Sequence, residues 1–403
     1  MSLETGPILR ANLRNKTGPI LIAIQIALTL AVLVNAVFII QQRVENITRD
    51  TGMDVDNIVT VQSVAIAEDF DLAGSVREDV AALEAIPGVI AATASQHVPL
   101  SGSGWGTELK ASADPDAPRE NAVQYFLTEH GLEALGVTLE SGRAFTADDM
   151  EYPTSFGDAP DKVIITRAFA DALFPDGDAQ PGVTLYTGLD DPMTVIGIVE
   201  HMHGAWVTWD KLENVMLLPR VMPIDQTYYL IRTEPGLRDR IMPKVEETLI
   251  ALNDQRLVKD LKPHAEYKAN SYMGDRGMAI LLSVVVGLMI VVTAVGIIGL
   301  ASFSVRQRVK QIGTRRAVGA RRWAIVRYFL VENWLITTAG VVVGTALTVG
   351  LNYWLVLSYE LERLDPLYLP VGIIGLWLLG LVAVAWPARR AAAISPAVAT
   401  RTV

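Results

Sequence analysis

Four stretches of this chain are uncharged and apolar for long enough to cross a bilayer, while the remainder alternates at much shorter periods. From Thr17 to Gln42 no side chain is charged, and Ile20–Ile40 alone offers 21 residues. At about 1.5 Å of rise per residue this covers a hydrocarbon core of about 30 Å. Gly277–Phe303 and Trp334–Leu357 are also free of charge, and Pro370–Trp386 is the shortest run at 17 residues. An Arg or Lys at the centre of such a helix costs about 2.5–3.5 kcal/mol on insertion scales, so these runs predict four transmembrane helices. Gln25, Asn35, Thr293 and Asn352 are among their few polar residues. They are expected to hydrogen-bond between helices rather than to line a substrate path. Gly340 and Gly344 in the third run stand one turn apart, a small-xxx-small spacing that marks this span for close helix packing.

Between the first and second runs the pattern changes to strands and short amphipathic helices. Ile58–Ala67 reads as a strand, Ser75–Ala85 as a helix through Val76, Val80 and Leu83, and Gly88–Ser95 as the next strand. Near the other end, Thr227–Thr233 reads as a strand. A helix follows at Leu237–Leu252 (Leu237, Ile241, Val245, Leu249), then a short strand at Arg256–Leu261. Two βαβ units bracketing an insertion predict one α/β subdomain built from both ends of the segment. The insertion, roughly Ser101 to Arg220, carries predicted strands at Asn121–Leu127, Lys162–Thr166 and Thr194–Glu200 and a helix at Ala168–Leu173. Ser101–Gly106 reads as a flexible loop, without the lysine or spacing of a phosphate-binding loop.

Charge fixes the expected orientation. Residues 41–276 hold 19 Lys/Arg against 39 Asp/Glu, a net of −20, whereas the rest holds 15 against 5, a net of +10. Between Ser304 and Arg327 lie eight Lys/Arg and no acidic residue, a short basic loop of the kind the positive-inside rule places in the cytoplasm. Arg10, Arg14 and Lys16 put the N-terminus on the same side, as do Arg389, Arg390 and Arg401 for the tail. The first run is about twice the length of a signal-peptide apolar core, and no small-x-small cleavage site precedes Gln41–Gln42. The expected organisation is therefore a cytoplasmic N-terminus (1–17) and a first span (18–42). An outer domain follows at 43–274, its α/β part at 55–100 and 221–265 and its inserted subdomain at 101–220. A second span (277–303), a cytoplasmic segment (304–325), a third span (326–357), an outer loop (358–369), a fourth span (370–387) and a cytoplasmic tail (388–403) complete it. So acidic an outer domain argues against nucleic-acid binding, which needs a basic face. The absence of cysteine excludes disulfides, thiol chemistry and Cys-ligated metals.

Few residues suggest chemistry. His201-x-His203 would present two imidazoles to one face of a strand. Glu200 and Asp210 are near, but no third ligand is evident, and a polar turn at a strand end is the expected reading. Asp148-Asp149-x-Glu151 and Asp190-Asp191 lack EF-hand spacing and are expected to be solvated acidic loops. There is no G-x-x-x-x-G-K-[ST], H-E-x-x-H or G-x-S-x-G, so no catalytic or metal site is expected.

The basic loop and the tail carry a family resemblance. Q-I-G-T-R-R-A-V-G-A-R-R (Gln311–Arg322) resembles the cytoplasmic segment of MacB/FtsX-type ABC transporter permeases, where E-I-G-x-R-R-A-x-G-A precedes the third span. P-A-R-R-A-A-A-I-S-P-A-V-A (Pro387–Ala399) resembles their tail. Tyr125–Phe126, Gly136–Phe145 and Val195–Val199 look like pieces of the MacB-type periplasmic core domain. Gln311 departs from the family's usual Glu, and the ATPase domain that MacB carries ahead of its first span does not precede this one. The resemblance implies four transmembrane helices plus a large α/β (α+β) periplasmic domain inserted between helices 1 and 2, in an inner membrane.

The implied protein is a non-catalytic permease with no cofactor of its own. Two copies of an ABC ATPase partner would bind ATP and magnesium, and a second permease, identical or paralogous, would complete a dimer; pairs of separately encoded permeases in the family tip the expectation towards a paralogue. ATP-driven movement of the outer domains, or mechanotransmission, would then export antibiotics, peptides or toxins with a periplasmic adaptor and an outer-membrane channel. A lipoprotein-releasing permease and a non-transporting regulator of wall hydrolases are the alternatives, with a stand-alone sensor a weaker one. The residues expected to contact the ATPase are Gln311, Ile312, Gly313, Arg315, Arg316, Val318, Gly319, Arg321 and Arg322. Ile312 and Val318 would supply apolar contacts of a short helix, and the arginines would pair with acidic residues or snorkel to anionic membrane lipids.

Overall fold

A computed structural model describes residues 17–393 apart from 68–69, 154, 156, 158, 176, 178 and 360–361. The basic residues before Thr17, Glu360 and the tail motif beyond Ala393 lie outside the described residues. The chain divides into a helical unit, Met1–Thr48 with Asp275–Val403, and an α/β unit, Arg49–Gly274. The first helix, α1, runs Thr17–Thr48 and extends past the apolar run.

The α/β unit opens with β1 (Ile58–Ala65), α2 (Leu72–Glu84) and β2 (Val89–Ser95). Asp71 caps α2, its carboxylate accepting from the Gly74 amide at 3.0 Å. The insertion follows as β3 (Trp105–Lys110), β4 (Arg119–Phe126), α3 (Gly131–Leu135), β5 (Leu139–Gly142), β6 (Lys162–Thr166), α4 (Arg167–Leu173), β7 (Thr184–Thr187), β8 (Pro192–Val199) and β9 (Val215–Leu218). The unit closes with β10 (Gln226–Thr233), α5 (Arg238–Leu252), β11 (Arg256–Pro263) and α6 (His264–Ser271).

Both ends of the segment do build one sheet, in the order β11-β1-β10-β2. The two βαβ units are interleaved rather than side by side. β10 lies between β1 and β2, β1 lies between β10 and β11, and every neighbouring pair is antiparallel. This is the double split-βαβ arrangement. Val76, Val80 and Leu83 of α2 and Ile241, Val245 and Leu249 of α5 form the helical stripes the spacing predicts. They cover Val59, Val61, Tyr229 and Ile231 on one face of the sheet. Ile58 and Leu230 on the other face join a core shared with the insertion.

In the insertion, β8, β6, β9, β4, β3 and β7 pair in turn, and β7 pairs again with β8, so the ladder returns on itself. Closure leaves few open edges. Phe169, Ala170 and Leu173 of α4 pack on one side of it with Val163, Ile165 and Met216, while Val123, Tyr125, Ile164 and Leu217 face the shared core. The segment expected to be a flexible loop at Ser101–Gly106 is partly strand: Trp105 and Gly106 open β3. The preceding turn is held by Leu100 and Gly102 amides donating to the carbonyls of Gly204 and Ala205.

The helical unit adds α7 (Met273–Gln307), α8 (Val309–Ala317), α9 (Arg322–Tyr359) and α10 (Tyr368–Ala392). Of these, α7, α9 and α10, with α1, are long and apolar enough to cross a membrane. α1 and α9 meet where side chains vanish. A Cβ on Gly340 would stand 2.7 Å from the Ala23 carbonyl oxygen, and one on Gly344 would stand 3.0 Å from Ala27 Cα. Gly340→Leu is therefore expected to force the two backbones apart. An overpacking cost of about 1–3 kcal/mol should appear as a lower thermal midpoint of the detergent-solubilised chain, whereas leucine at the open Gly350 position leaves the midpoint unchanged. The polar residues within the spans pair as expected between or beside helices. Gln25 donates to the Val292 carbonyl (3.1 Å), Thr29 meets Thr293 (2.9 Å), and Asn35 donates to the Thr348 carbonyl (3.2 Å). Asn352 accepts from the Leu364 amide at 3.2 Å.

Candidate functional site

The basic connection between α7 and α9 is folded rather than extended. α7 ends at Gln307, Arg308 breaks the helix, and α8 starts one residue later. At its far end the Gly319 amide donates to the Arg316 carbonyl and the Ala320 amide to the Arg315 carbonyl, the paired bonds of a Schellman cap. Gly319 has φ of 96°, a left-handed conformation that favours glycine. This explains the glycine of R-R-A-V-G-A and turns the chain into α9.

Two anchors fix α8. Ile312 is 6% exposed and packs with Ile325, Val326 and Phe329 of α9 and Ala388, Ala391 and Ala392 of α10. Arg308 Nη1 donates to Glu332 Oε2 at 2.9 Å and to the Tyr328 hydroxyl at 3.1 Å, both on the same face of α9. Arg315 lies over the Tyr328 ring at 5.4 Å. The result is a cleft of about 580 Å³ between α8 and the start of α9.

Five of the nine residues singled out in the sequence, Gln311, Ile312, Arg315, Val318 and Gly319, line this cleft. Arg321 and Arg322 are exposed at the start of α9 but do not line it. Arg316 is half-buried, its guanidinium donating to the Ala320 carbonyl at 3.4 Å. Ile312 and Gly313 are buried within this chain, where they hold α8 in place. Val318, 85% exposed, remains the available apolar contact. Sequence reasoning missed Arg308, Tyr328 and Glu332. The signal was present in Glu332, an acid at the edge of an apolar run and one helical turn after Tyr328.

Three members of the acidic groups, Asp149, Glu151 and Asp190, are engaged by the chain's own cations, while Asp148 is exposed to solvent. Asp149 accepts from both Nη atoms of Arg143 (2.5 and 3.0 Å), from Lys162 and from the Thr146 amide and hydroxyl. Glu151 pairs with Arg220, and Asp190 with Lys110. The Arg143 guanidinium, with Lys162 and Thr146, holds the Asp149 carboxyl far below the usual carboxylate range. A depressed folded-state value means this stabilisation is complete above the unfolded value of about 3.9 and is lost as pH falls below it. Acid titration of the chain should therefore show stability falling below about pH 4, with a flatter curve for Asp149→Asn over the same range. His201 and His203 lie beyond the end of β8, in the connection to β9, and not on a strand. The carboxylate beside them is Glu213, not Glu200 or Asp210.

Residues 20–260 match the family model of the MacB-like periplasmic core domain, and residues 283–396 match that of the FtsX-like permease C-terminal region. The macrolide export ATP-binding/permease protein MacB 2 of Yersinia pestis bv. Antiqua is 27% identical over 282 residues, 68% of this chain and 39% of its own length. The macrolide export ATP-binding/permease protein MacB of Chromobacterium violaceum is 24% identical over 336 residues, 77% of this chain and 48% of its own length. This chain thus spans less than half the length of these curated relatives. The crystal structure of the periplasmic region of MacB from Actinobacillus actinomycetemcomitans aligns with a TM-score of 0.33 at 16% identity, over 55% of this chain and 94% of that one. With one family model covering more than half the chain and a second covering its last three spans, the protein belongs to the MacB/FtsX-type family of ABC transporter permeases.

Proposed function

We propose that this chain is the non-catalytic permease of an ABC exporter and passes the motion of an ATPase partner from α8 to its periplasmic domain. The observation that carries this reading is the basic cleft between α8 and α9, clamped to α9 and α10 by Arg308–Glu332 and Ile312. A force applied to Arg315 or Val318 is transmitted through α8 to the two helices it is pinned on, because a packed core transmits displacement with little compression. The proposed partners are two copies of an ATPase, which bind ATP and magnesium themselves and dock at the cleft, and a second permease. In this reading the cleft faces the cytoplasm of a bacterium, both termini are cytoplasmic, and the membrane is the inner one. The cargo class is antibiotics, peptides or other toxic compounds, handled with a periplasmic adaptor and an outer-membrane channel, as the macrolide-export names of the relatives suggest.

The test is native mass spectrometry of the chain purified from its host in mild detergent, alongside Arg315→Glu/Arg316→Glu. Two permeases with two ATPase chains are expected for the wild type, with loss of the ATPase in the double variant. A complex that never contains an ATPase, or an ATPase retained in full by the double variant, rejects the reading.

A further inference from the structure

The connection between β8 and β9 brings together three groups that take no part in the coupling cleft. His201 Nδ1 stands 3.5 Å from Glu213 Oε2, and His203 Nε2 stands 3.8 Å from Glu213 Oε1. One ligand atom from each of the three residues lies within 4.8 Å of the others. We propose that His201, His203 and Glu213 form a binding site for a first-row divalent transition cation of the zinc type, with the fourth position open to water.

The gaps themselves favour an ion over a hydrogen-bonded trio. Both exceed hydrogen-bond length. Tetrahedral zinc with bonds of about 2.0–2.1 Å separates its ligand atoms by about 3.3–3.4 Å. The two histidine–carboxylate gaps run to different Glu213 oxygens, and one atom from each residue falls within 4.8 Å of the others, so a side-chain movement closes the set on an ion. Glu213, the most exposed of the three, can supply that movement.

His203 is the second observation. It is fully buried, and among the described residues neither ring nitrogen has a hydrogen-bond partner. Burying an imidazole with nothing to bond is costly, and a cation resolves the cost at one nitrogen.

The surroundings also orient His201. Its Nε2 lies 2.9 Å from the Asp50 carbonyl. A carbonyl only accepts, so the proton sits on Nε2 and Nδ1 turns its lone pair towards Glu213. Gly52 makes this approach possible: its φ is 73°, and a Cβ there would stand 2.0 Å from the His201 carbonyl oxygen. A bound cation would fasten the connection that carries Gly204 and Ala205, whose carbonyls hold the turn at Leu100 and Gly102.

The test uses the full chain in detergent, purified without a histidine tag, stripped with chelator and dialysed against zinc chloride. Elemental analysis is expected to give one zinc per chain, and cobalt(II) in its place should give the intense visible bands of tetrahedral coordination. Glu213→Gln and His203→Gln should each weaken zinc binding by at least about tenfold. Zinc should raise the thermal midpoint of the wild type and leave that of Glu213→Gln unmoved. Because His203 is a core position, Glu213→Gln carries the test if His203→Gln fails to fold. Glu200→Gln, in the neighbouring acidic pocket with Asp50 and Asp54, should bind as the wild type does. Folded wild type that retains no zinc, uptake unchanged by Glu213→Gln, or uptake abolished by Glu200→Gln each overturns the proposal.

Discussion

Asp79→Ala is expected to destabilise the split-βαβ layer of the periplasmic domain by about 3–5 kcal/mol. Asp79 is fully buried on α2 and accepts from Arg256 of β11 and from the Tyr229 hydroxyl of β10. The Arg256 side chain is 2% exposed. Removing the carboxylate would leave a guanidinium in the core without its counter-charge, and that, more than the lost bonds, sets the size of the effect. Burial, with the Asp79 charge beside it, also holds the Tyr229 hydroxyl well above its ordinary value, so the phenol stays protonated and cannot replace the anion. Hydrogen exchange on the full chain reads the result locally: amides of β1, β10 and β11 should lose protection while those of β6 and β8 keep theirs. The double variant Asp79→Leu/Arg256→Met removes both charges and should recover most of the protection. Equal losses in single and double variants would mean that the site acts through shape and not through charge.

Glu332→Ala is expected to cost on the order of 3 kcal/mol and, if the proposed exporter reading holds, to abolish export while leaving the ATPase bound. Glu332 is 6% exposed and Arg308 is partly open to solvent, which places the effect at the lower end for a broken ion pair. Its position matters more than its size. Arg308 is the residue at which α7 stops and α8 begins, so losing its partner on α9 frees this junction while leaving Arg315 and Val318 of the cleft unsubstituted. Native mass spectrometry should still find the ATPase, whereas efflux of a fluorescent cargo should fall to background. Swapping the pair, Arg308→Glu/Glu332→Arg, should restore part of the transport if attraction alone matters. Normal export by Glu332→Ala would show that α8 is held adequately by Ile312.

The elements that were legible in the sequence are those whose periodicity is long. The four spans, α2, α5 and the strands β1, β2, β10 and β11 were all visible, because each repeats its apolar spacing over a full turn or several residues of alternation. β9 was missed because V-M-L-L is only four residues long and buried throughout, so no alternation could declare it. Interleaving of the two βαβ units was equally hidden. Which strand sits between which is decided by pairing across about 130 to 170 residues, and a local pattern carries no trace of that. For the coupling site the arginines were plain and the anchors were not: Ile312 reads as an exposed apolar contact until α9 and α10 are seen to enclose it. Glu213 escaped notice beside His201 and His203 for the same reason, since the turn that returns it to them has no spacing rule.

The pairing of β1 with β11 also governs the timetable of biogenesis. Val59 faces Pro263 across that ladder, so the four-stranded layer cannot close until about 200 further residues have left the ribosome. Contacts so distant in sequence form slowly, and strands awaiting their partners are exposed to aggregation. β1 must therefore wait, unpaired on both sides until β10 is made and on one side until β11 follows, when synthesis has almost reached α7. A periplasmic holdase that shields β1 and α2 during this interval should raise the yield of folded permease, and a translational pause just before β11 should lower it.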